Sequence, residues 1–362
     1  FMRGIVEIKP LSSLLFREPG EIDPWVKGPA TVARGRYLPS PSTIAGALAF
    51  IMYKRKKCLK GEDWVDEIRY LLGNIKLRGT YLFDVKNGAV YIEHKNNLIE
   101  LTNLLKNISK YTKILIKAKT FHDYEQSKNI IASLQEKGRK ENKQEDNVME
   151  NLAEKYDKIG IALNRKKKIK IVKENYLYSF EYTSYSSDAR IAVDIEGSNL
   201  IEYEDIIRIG GKGGKGVVKI KNTDPLIPKH LGKEWEKNHT QWILYAVSPI
   251  LVSDISNAIV SNSKECLSNM KGACIIPSLK FDEMKSLLKA DFEIKYIIGS
   301  ISLVATGYSL SRNRRKPLYP AIDKGSIIVA ENINDPEDVY WKGLGFASDI
   351  GYGTVIPYPL KP

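Results

Sequence analysis

Cysteine is scarce: 3 residues in a chain of 362, at Cys58, Cys266 and Cys274, and none sits in a C-x-x-C pair. That excludes a disulfide framework and argues against a structural zinc site. Histidine is nearly as rare, with His94, His122, His230 and His239 and no H-E-x-x-H pair, so no metal-hydrolase pattern is present. Long apolar runs are missing too. No stretch approaches the roughly 18–20 apolar residues needed to cross a bilayer. The opening segment carries Arg3, Glu7, Lys9, Arg17, Glu18 and Glu21 rather than an apolar signal core. A cytoplasmic protein without a membrane span is the expectation, and no basic amphipathic helix supports even a surface contact with lipid.

What the chain does have is size and positive charge. Its 362 residues exceed the roughly 250–300 that one core usually serves, so two domains, or one with large insertions, are expected. Hydrophobic residues at 43% and charged residues at 27% make it globular. Lys plus Arg number 56 against 43 Asp plus Glu, a net charge of +13 that calls for an anionic partner, nucleic acid first.

The order of elements predicts an α+β protein. Arg3 to Lys9 alternates with Val6 and Ile8 on one face, a first strand. Ser40 and Pro41 suit the start of a helix whose apolar face carries Ile44, Ala47, Leu48 and Ile51. Strands are expected at 76–85, 89–93, 176–183, 190–196, 242–247, 293–305, 326–330 and 354–358, with a helix near 281–288. The strand–helix–strand–strand pattern occurs twice, and the β-α-β-β-α-β ferredoxin-like (RRM-like) unit is its simplest match. The expected domains are 1–224 and 225–362. Residues 121–158 differ in composition, and from Gln135 to Asn147 no large apolar residue occurs. That segment reads as an exposed, mobile insertion, with structure resuming at Ile159. His230 falls in what reads as a Pro- and Lys-rich linker.

Two glycine-rich segments stand out. Gly211-Lys212-Gly213-Gly214-Lys215-Gly216 fits G-x-G-x-x-G, but strand-like Val217–Ile220 follows where a dinucleotide site needs a helix. Kinase and Walker readings fail as well, because H-R-D and D-F-G are absent and Lys215 is followed by Gly216. No cofactor is therefore expected. A hairpin near 206–220 with two lysines at its tip remains, either a plain turn or a place where backbone amides approach phosphate. Near the C-terminus Gly343-Leu344-Gly345 and Gly351-Tyr352-Gly353 form G-h-G-x5-G-h-G, two tripeptides that together demand a special backbone path.

This last motif, followed by a terminal strand, resembles the signature of the RAMP superfamily, the RNA-binding proteins of CRISPR systems. Pro10–Glu18, Pro39–Leu48, Ile159–Leu163 with Leu177-Tyr178, Ile209–Gly211 and Pro320–Ser326 are similar, in that order, to the third Cmr subunit of type III-B effector complexes. The matches run from residue 5 to 356. One departure is that Lys212 and Lys215 stand where the family often has arginine, keeping the charge but losing the planar fork.

The resemblance implies two facing ferredoxin-like domains with the glycine loop at their junction. It implies binding of the 5′ repeat-derived handle of the CRISPR RNA, docking of the large polymerase/cyclase subunit and of backbone RAMP subunits, and target RNA nearby. It does not imply catalysis. The alternative is a stand-alone RAMP endoribonuclease that processes precursor CRISPR RNA, but no histidine lies in or just before the first helix, where such enzymes usually carry one.

Phosphates need charge and donors. Arg17, Arg34 and Arg36 precede the first helix, and Ser40, Ser42 and Thr43 add hydroxyls at its N-terminus, where Ser40 can also serve as a plain cap. Arg165 and Lys166 open one basic run; Arg312, Arg314 and Arg315 belong to another. With Lys212, Lys215, Gly343, Gly345, Gly351 and Gly353 they complete the expected RNA-binding set. Tyr176, Tyr178, Phe180 and Tyr182 share one strand face, either a stacking platform or a core face.

Overall fold

The computed structural model describes residues 2–17, 32–56, 58–94, 96–117, 152–164, 171–198, 202–252, 274–277, 285–286 and 288–360. The architecture is mixed α/β, with antiparallel sheets and few helices. The larger sheet has seven strands in the order Tyr203–Arg208, Lys215–Lys221, Met2–Pro10, Ala189–Gly197, Lys76–Asp84, Val90–His94 and Asn97–Glu100. A second sheet has five, in the order Cys274–Pro277, Glu293–Gly299, Ile327–Glu331, Gln241–Ala246 and Val355–Pro359.

Alternation along the first strand explains how the halves meet. Val6 and Ile8 point to one face, where helices Pro41–Lys56 and Trp64–Leu72 supply Ile44, Leu48, Ile51, Ile68 and Leu71. Ile5 points the other way, into a core that continues through Tyr81 and Ala192 to Leu244, Ile328 and Ile356 of the second sheet. Side chains of period two thus bury both faces of the sheet. Helices Leu101–Lys117, Leu226–Trp235 and Pro336–Lys342 add Leu104, Leu105, Leu231, Trp235 and Val339 to the same core.

Most expected strands are present with ends shifted by a residue or two. The stretch 293–305 is instead two strands, Glu293–Gly299 and Ile301–Ala305, in different sheets. Of the helix expected near 281–288, residues 285, 286 and 288 are described and helical. His230 does not lie in a linker. It belongs to helix Leu226–Trp235, where Pro228 is tolerated because a first-turn amide has no intrahelical partner. Nor does structure wait for Ile159: strand Ala153–Asn164 pairs with Ile171–Tyr185 in a long antiparallel hairpin, Tyr156 opposite Tyr182. The charged stretch Gln135–Asn147 lies outside the described residues, as do Arg165 and Lys166.

Two buried charges brace the halves. Asp194, on a central strand, accepts from the Leu226 and Ile227 amides at 2.7 and 3.0 Å and from the Tyr340 hydroxyl at 2.8 Å. It supplies the cap that Pro225 cannot. Burial outweighs these donors and pushes its pKa up to about 6. Arg78 is fully buried and donates to the Tyr340 carbonyl at 2.7 Å, the Leu77 carbonyl at 2.6 Å, and the Trp341 and Ser348 carbonyls. Its charge meets the negative end of helix Pro336–Lys342. Desolvation lowers its pKa to about 10, leaving it a cation at neutral pH.

Candidate nucleic-acid interface

The first helix begins at a junction of both halves. Thr43 and Ile44 donate to the Ser40 carbonyl at 2.9 and 3.3 Å, opening the helix. The Ser40 hydroxyl lies 3.2 Å from that of Ser42 and 2.9 Å from that of Thr43. Ser42 is buried and donates to the Thr306 carbonyl at 2.7 Å, so its hydroxyl ties the helix to the second half. A small cleft opens beside this turn, lined among others by Arg36, Ser40, Pro41, Glu93, Ser248 and Lys324. Glu93 accepts from the Tyr37 amide at 2.9 Å and from Lys324 at 2.7 Å. The Arg36 Nε is buried and has no hydrogen-bond partner among the described residues. Lys324 and Glu93 are absent from the sequence-derived set; Lys324 sits inside the Pro320–Ser326 segment that carries part of the family resemblance.

Arg17, Arg34 and Arg36 come together on one ribbon. Strands Phe16–Arg17 and Gly35–Arg36 pair with Arg17 opposite Gly35, and Arg17 and Arg34 are exposed. The glycine–lysine segment is a hairpin tip between antiparallel strands, Arg208 opposite Lys215. It seats on this same ribbon: the Gly211 amide donates to the Leu15 carbonyl at 2.8 Å, and a Cβ on Gly210 would lie 2.8 Å from that oxygen. Lys212 and Lys215 are exposed, and the Lys212 amine lies 5.0 Å over the Phe180 ring. The sequence separates Arg17 from Lys212 by nearly two hundred positions; the fold makes them neighbours through Leu15.

The second basic run divides. The Arg312 guanidinium donates to Glu67 at 2.7 Å and to the Gly61 carbonyl at 3.0 Å, anchoring its loop on helix Trp64–Leu72. Arg314 and Arg315 are exposed on a short hairpin with Tyr308 and Ser309. Lys316, the last residue of this run, lies 4.2 Å over the Trp64 ring. Burial there pulls its pKa down to about 8, with Glu67 opposing the shift.

The C-terminal glycine loop is at the junction, and it is buried. Gly343, Gly345, Gly351 and Gly353 all have positive φ, from 59° to 102°, which only glycine adopts without strain. Their four amides donate to the carbonyls of Val339, Leu288, Ser348 and Pro249 at 2.8–3.1 Å. A Cβ on Gly353 would overlap the Leu344 carbonyl oxygen, and one on Gly345 that of Leu251. Gly351 faces Pro41, so the loop buttresses the first turn of the first helix.

Of the histidines, His94 meets the Tyr245 hydroxyl at 2.8 Å, His230 meets the Leu226 and Gly88 carbonyls at 2.7 and 3.0 Å, and His239 packs edge-on to Trp242. None of these three lies at the first helix; His122 is outside the described residues. Among the described residues no three His, Cys, Asp or Glu side chains gather to hold a metal, and no helix is long and apolar enough to cross a membrane.

Comparison with known proteins bears on this arrangement. The chain is similar to the CMR subunit Cmr3 of a Saccharolobus solfataricus CRISPR system, 25% identical over 331 residues that cover 89% of this chain and 85% of that protein. Its fold is similar to a chain in a cryo-EM structure of the type III-B Cmr-beta complex bound to cognate target RNA, with a TM-score of 0.59, 24% identity and coverage of 98% and 96%. A second structure of that complex, with target RNA and AMPPnP, gives a TM-score of 0.55 at 22% identity, covering 98% of this chain and 99% of the other. The family model described as CRISPR-associated protein (Cas_Cmr3) matches residues 6–356, nearly the whole length over which the sequence motifs run in order, and the chain belongs to that family.

Proposed function

We propose that this chain is the guide-RNA-binding, noncatalytic subunit of a type III-B Cmr effector complex. It holds the 5′ repeat-derived handle of the CRISPR RNA and docks the large polymerase/cyclase subunit onto the backbone RAMP subunits, with target RNA nearby. The observation that carries the reading is the convergence of Arg17, Arg34 and Arg36 with the Lys212–Lys215 hairpin tip, beside the first turn of the first helix. Cations there meet phosphate, and the Ser40 and Thr43 hydroxyls add polar groups at the helix start. Arg314 and Arg315 extend the charged surface. Ser42, Arg312 and the four glycines act through position, holding the helix start and the two halves in place.

The strand order supports the architecture implied by the family. In the first half the strands Lys215–Lys221, Met2–Pro10, Ala189–Gly197 and Lys76–Asp84 stand in the order fourth, first, third, second. In the other half Val355–Pro359, Gln241–Ala246, Ile327–Glu331 and Glu293–Gly299 repeat it. We read these as two ferredoxin-like domains, 1–224 and 225–362, fused through one core.

The test is reconstitution with and without this chain. With it, the guide handle should be protected from added nuclease; without it, the handle should be digested while the paired guide stays protected. Full handle protection in its absence refutes the reading. Repeat RNA incubated with the chain alone, with or without divalent metal, should stay intact; cleavage at one phosphodiester would favour the endoribonuclease.

A further inference from the structure

The aromatic stripe on the long hairpin is not absorbed by phosphate binding, and its geometry separates it into two parts. Phe180 is 9% exposed and packs with Leu15, and Tyr182 is half-buried against the same pair. Tyr156 is Tyr182's cross-strand partner, and the two rings stack at 6.0 Å between centroids and 22° between planes. Tyr156 is 40% exposed. The inner ring is thus anchored in a small apolar cluster while the outer ring presents aromatic surface to solvent.

Cations flank the stack. Lys158 lies 5.8 Å from the Tyr182 ring and Lys212 lies 5.0 Å from the Phe180 ring. Glu154 shares this face but lies two positions from Tyr156 on the side away from Lys158; Asp157 and Glu181 occupy the opposite face by strand alternation. The hairpin is tied to the arginine ribbon, since Lys155 donates to the Gly35 carbonyl at 2.7 Å and Glu181 accepts from the Gly35 amide at 2.8 Å. An exposed flat ring stacked on Tyr182, with lysines over the neighbouring Tyr182 and Phe180 rings and the arginine ribbon tied to the same hairpin, offers what single-stranded RNA needs, a stacking surface for a base and charge for its backbone.

We infer that Tyr156, backed by Tyr182, is a stacking site for one unpaired nucleobase, with Lys158 and Lys212 serving its flanking phosphates. The inference deepens the RNA-binding reading and rests on it. The base can come from the guide handle or from the target strand, which share this chemistry.

The experiment uses the full-length chain and a short adenosine ribo-oligomer carrying one 2-aminopurine, read by fluorescence quenching and by affinity across salt. Tyr156→Ala should weaken binding by about 5- to 150-fold and abolish quenching while leaving the salt slope unchanged. Tyr156→Phe should keep both quenching and affinity. Lys158→Ala should lower the salt slope by about 0.7 with quenching retained. Circular dichroism confirms that each variant is folded. In the reconstituted complex, 2-aminopurine placed first in the handle and then in the target identifies which strand supplies the base. A folded Tyr156→Ala that keeps quenching and affinity overturns the inference, as does a wild-type chain that does not quench the oligomer. Loss of handle protection on Arg17→Ala with Tyr156→Ala silent would keep the handle reading and discard the platform. Quenching lost on Tyr156→Ala in a complex whose handle is protected without this chain would do the reverse.

Discussion

The two glycine-rich segments resemble one another in sequence and do opposite things in the fold. Gly211–Gly216 turns an exposed hairpin, leaves Lys212 and Lys215 in solvent and leans on the ribbon that carries Arg17. Gly343–Gly353 is buried between the halves and has all four of its glycine amides committed to protein carbonyls. Glycine in the first makes room for charge; glycine in the second lets backbone meet backbone. The lesson is that a glycine motif assigned to RNA by resemblance is spent here on packing, with Gly351 against Pro41 at the helix start.

The largest effect expected from breaking this contrast falls on the buried loop. Gly353→Ala forces a Cβ into the Leu344 carbonyl at a positive φ, and should cost about 5 kcal/mol in denaturant unfolding. Gly213→Ala in the exposed tip also sits at positive φ but meets nothing within 4 Å, and should cost only about 1 kcal/mol. Equal costs would erase the distinction.

Next is the charge that holds the loop's flank. Arg78→Met leaves the Tyr340 and Trp341 carbonyls without the Arg78 donor, and the Ser348 carbonyl with only the Gly351 amide, and should destabilise by about 4 kcal/mol in the same assay. A cost below about 1 kcal/mol would show that the junction does not depend on it.

Asp194 sharpens the comparison through pH. Its folded pKa of about 6 lies above the ordinary 3.8, so the folded state binds the proton more tightly than the unfolded state. Its favourable contribution is full below about pH 4 and is lost as pH rises through 6, roughly 3 kcal/mol in all. The wild-type unfolding free energy should carry this falling component between pH 4 and 6.5, and Asp194→Asn should lack it. Identical pH profiles would remove Asp194 as its source.

Much of the sheet framework was legible, because Val6, Ile8, Val193 and Val218 alternate in strands rich in β-branched residues. Helix Leu226–Trp235 was not, since Pro225, Pro228 and its lysines read as a linker; its start depends on Asp194, 32 residues before Leu226. Helix Leu101–Lys117 was also not anticipated, although Leu101, Leu104, Leu105 and Ile108 carry a helical spacing. In the site, Arg17, Arg36, Lys212 and Lys215 could be named from charge near glycine and a helix start. Their convergence could not, because it passes through Leu15. Arg78 reads as an ordinary strand cation; only the second half packed on that face makes it a buried hub.

The smallest effect bears most directly on the exposed segment, the central claim that charge there holds RNA. Handle-RNA affinity of the full chain should be measured across salt for the wild type and for Lys212→Ala/Lys215→Ala. The slope of log affinity against log salt should fall by about 1.4, near 0.7 per lysine, with the unfolding midpoint unchanged and the loss nearly independent of RNA sequence. An unchanged slope in a folded double variant would contradict the account and return the hairpin tip to a plain solvated turn.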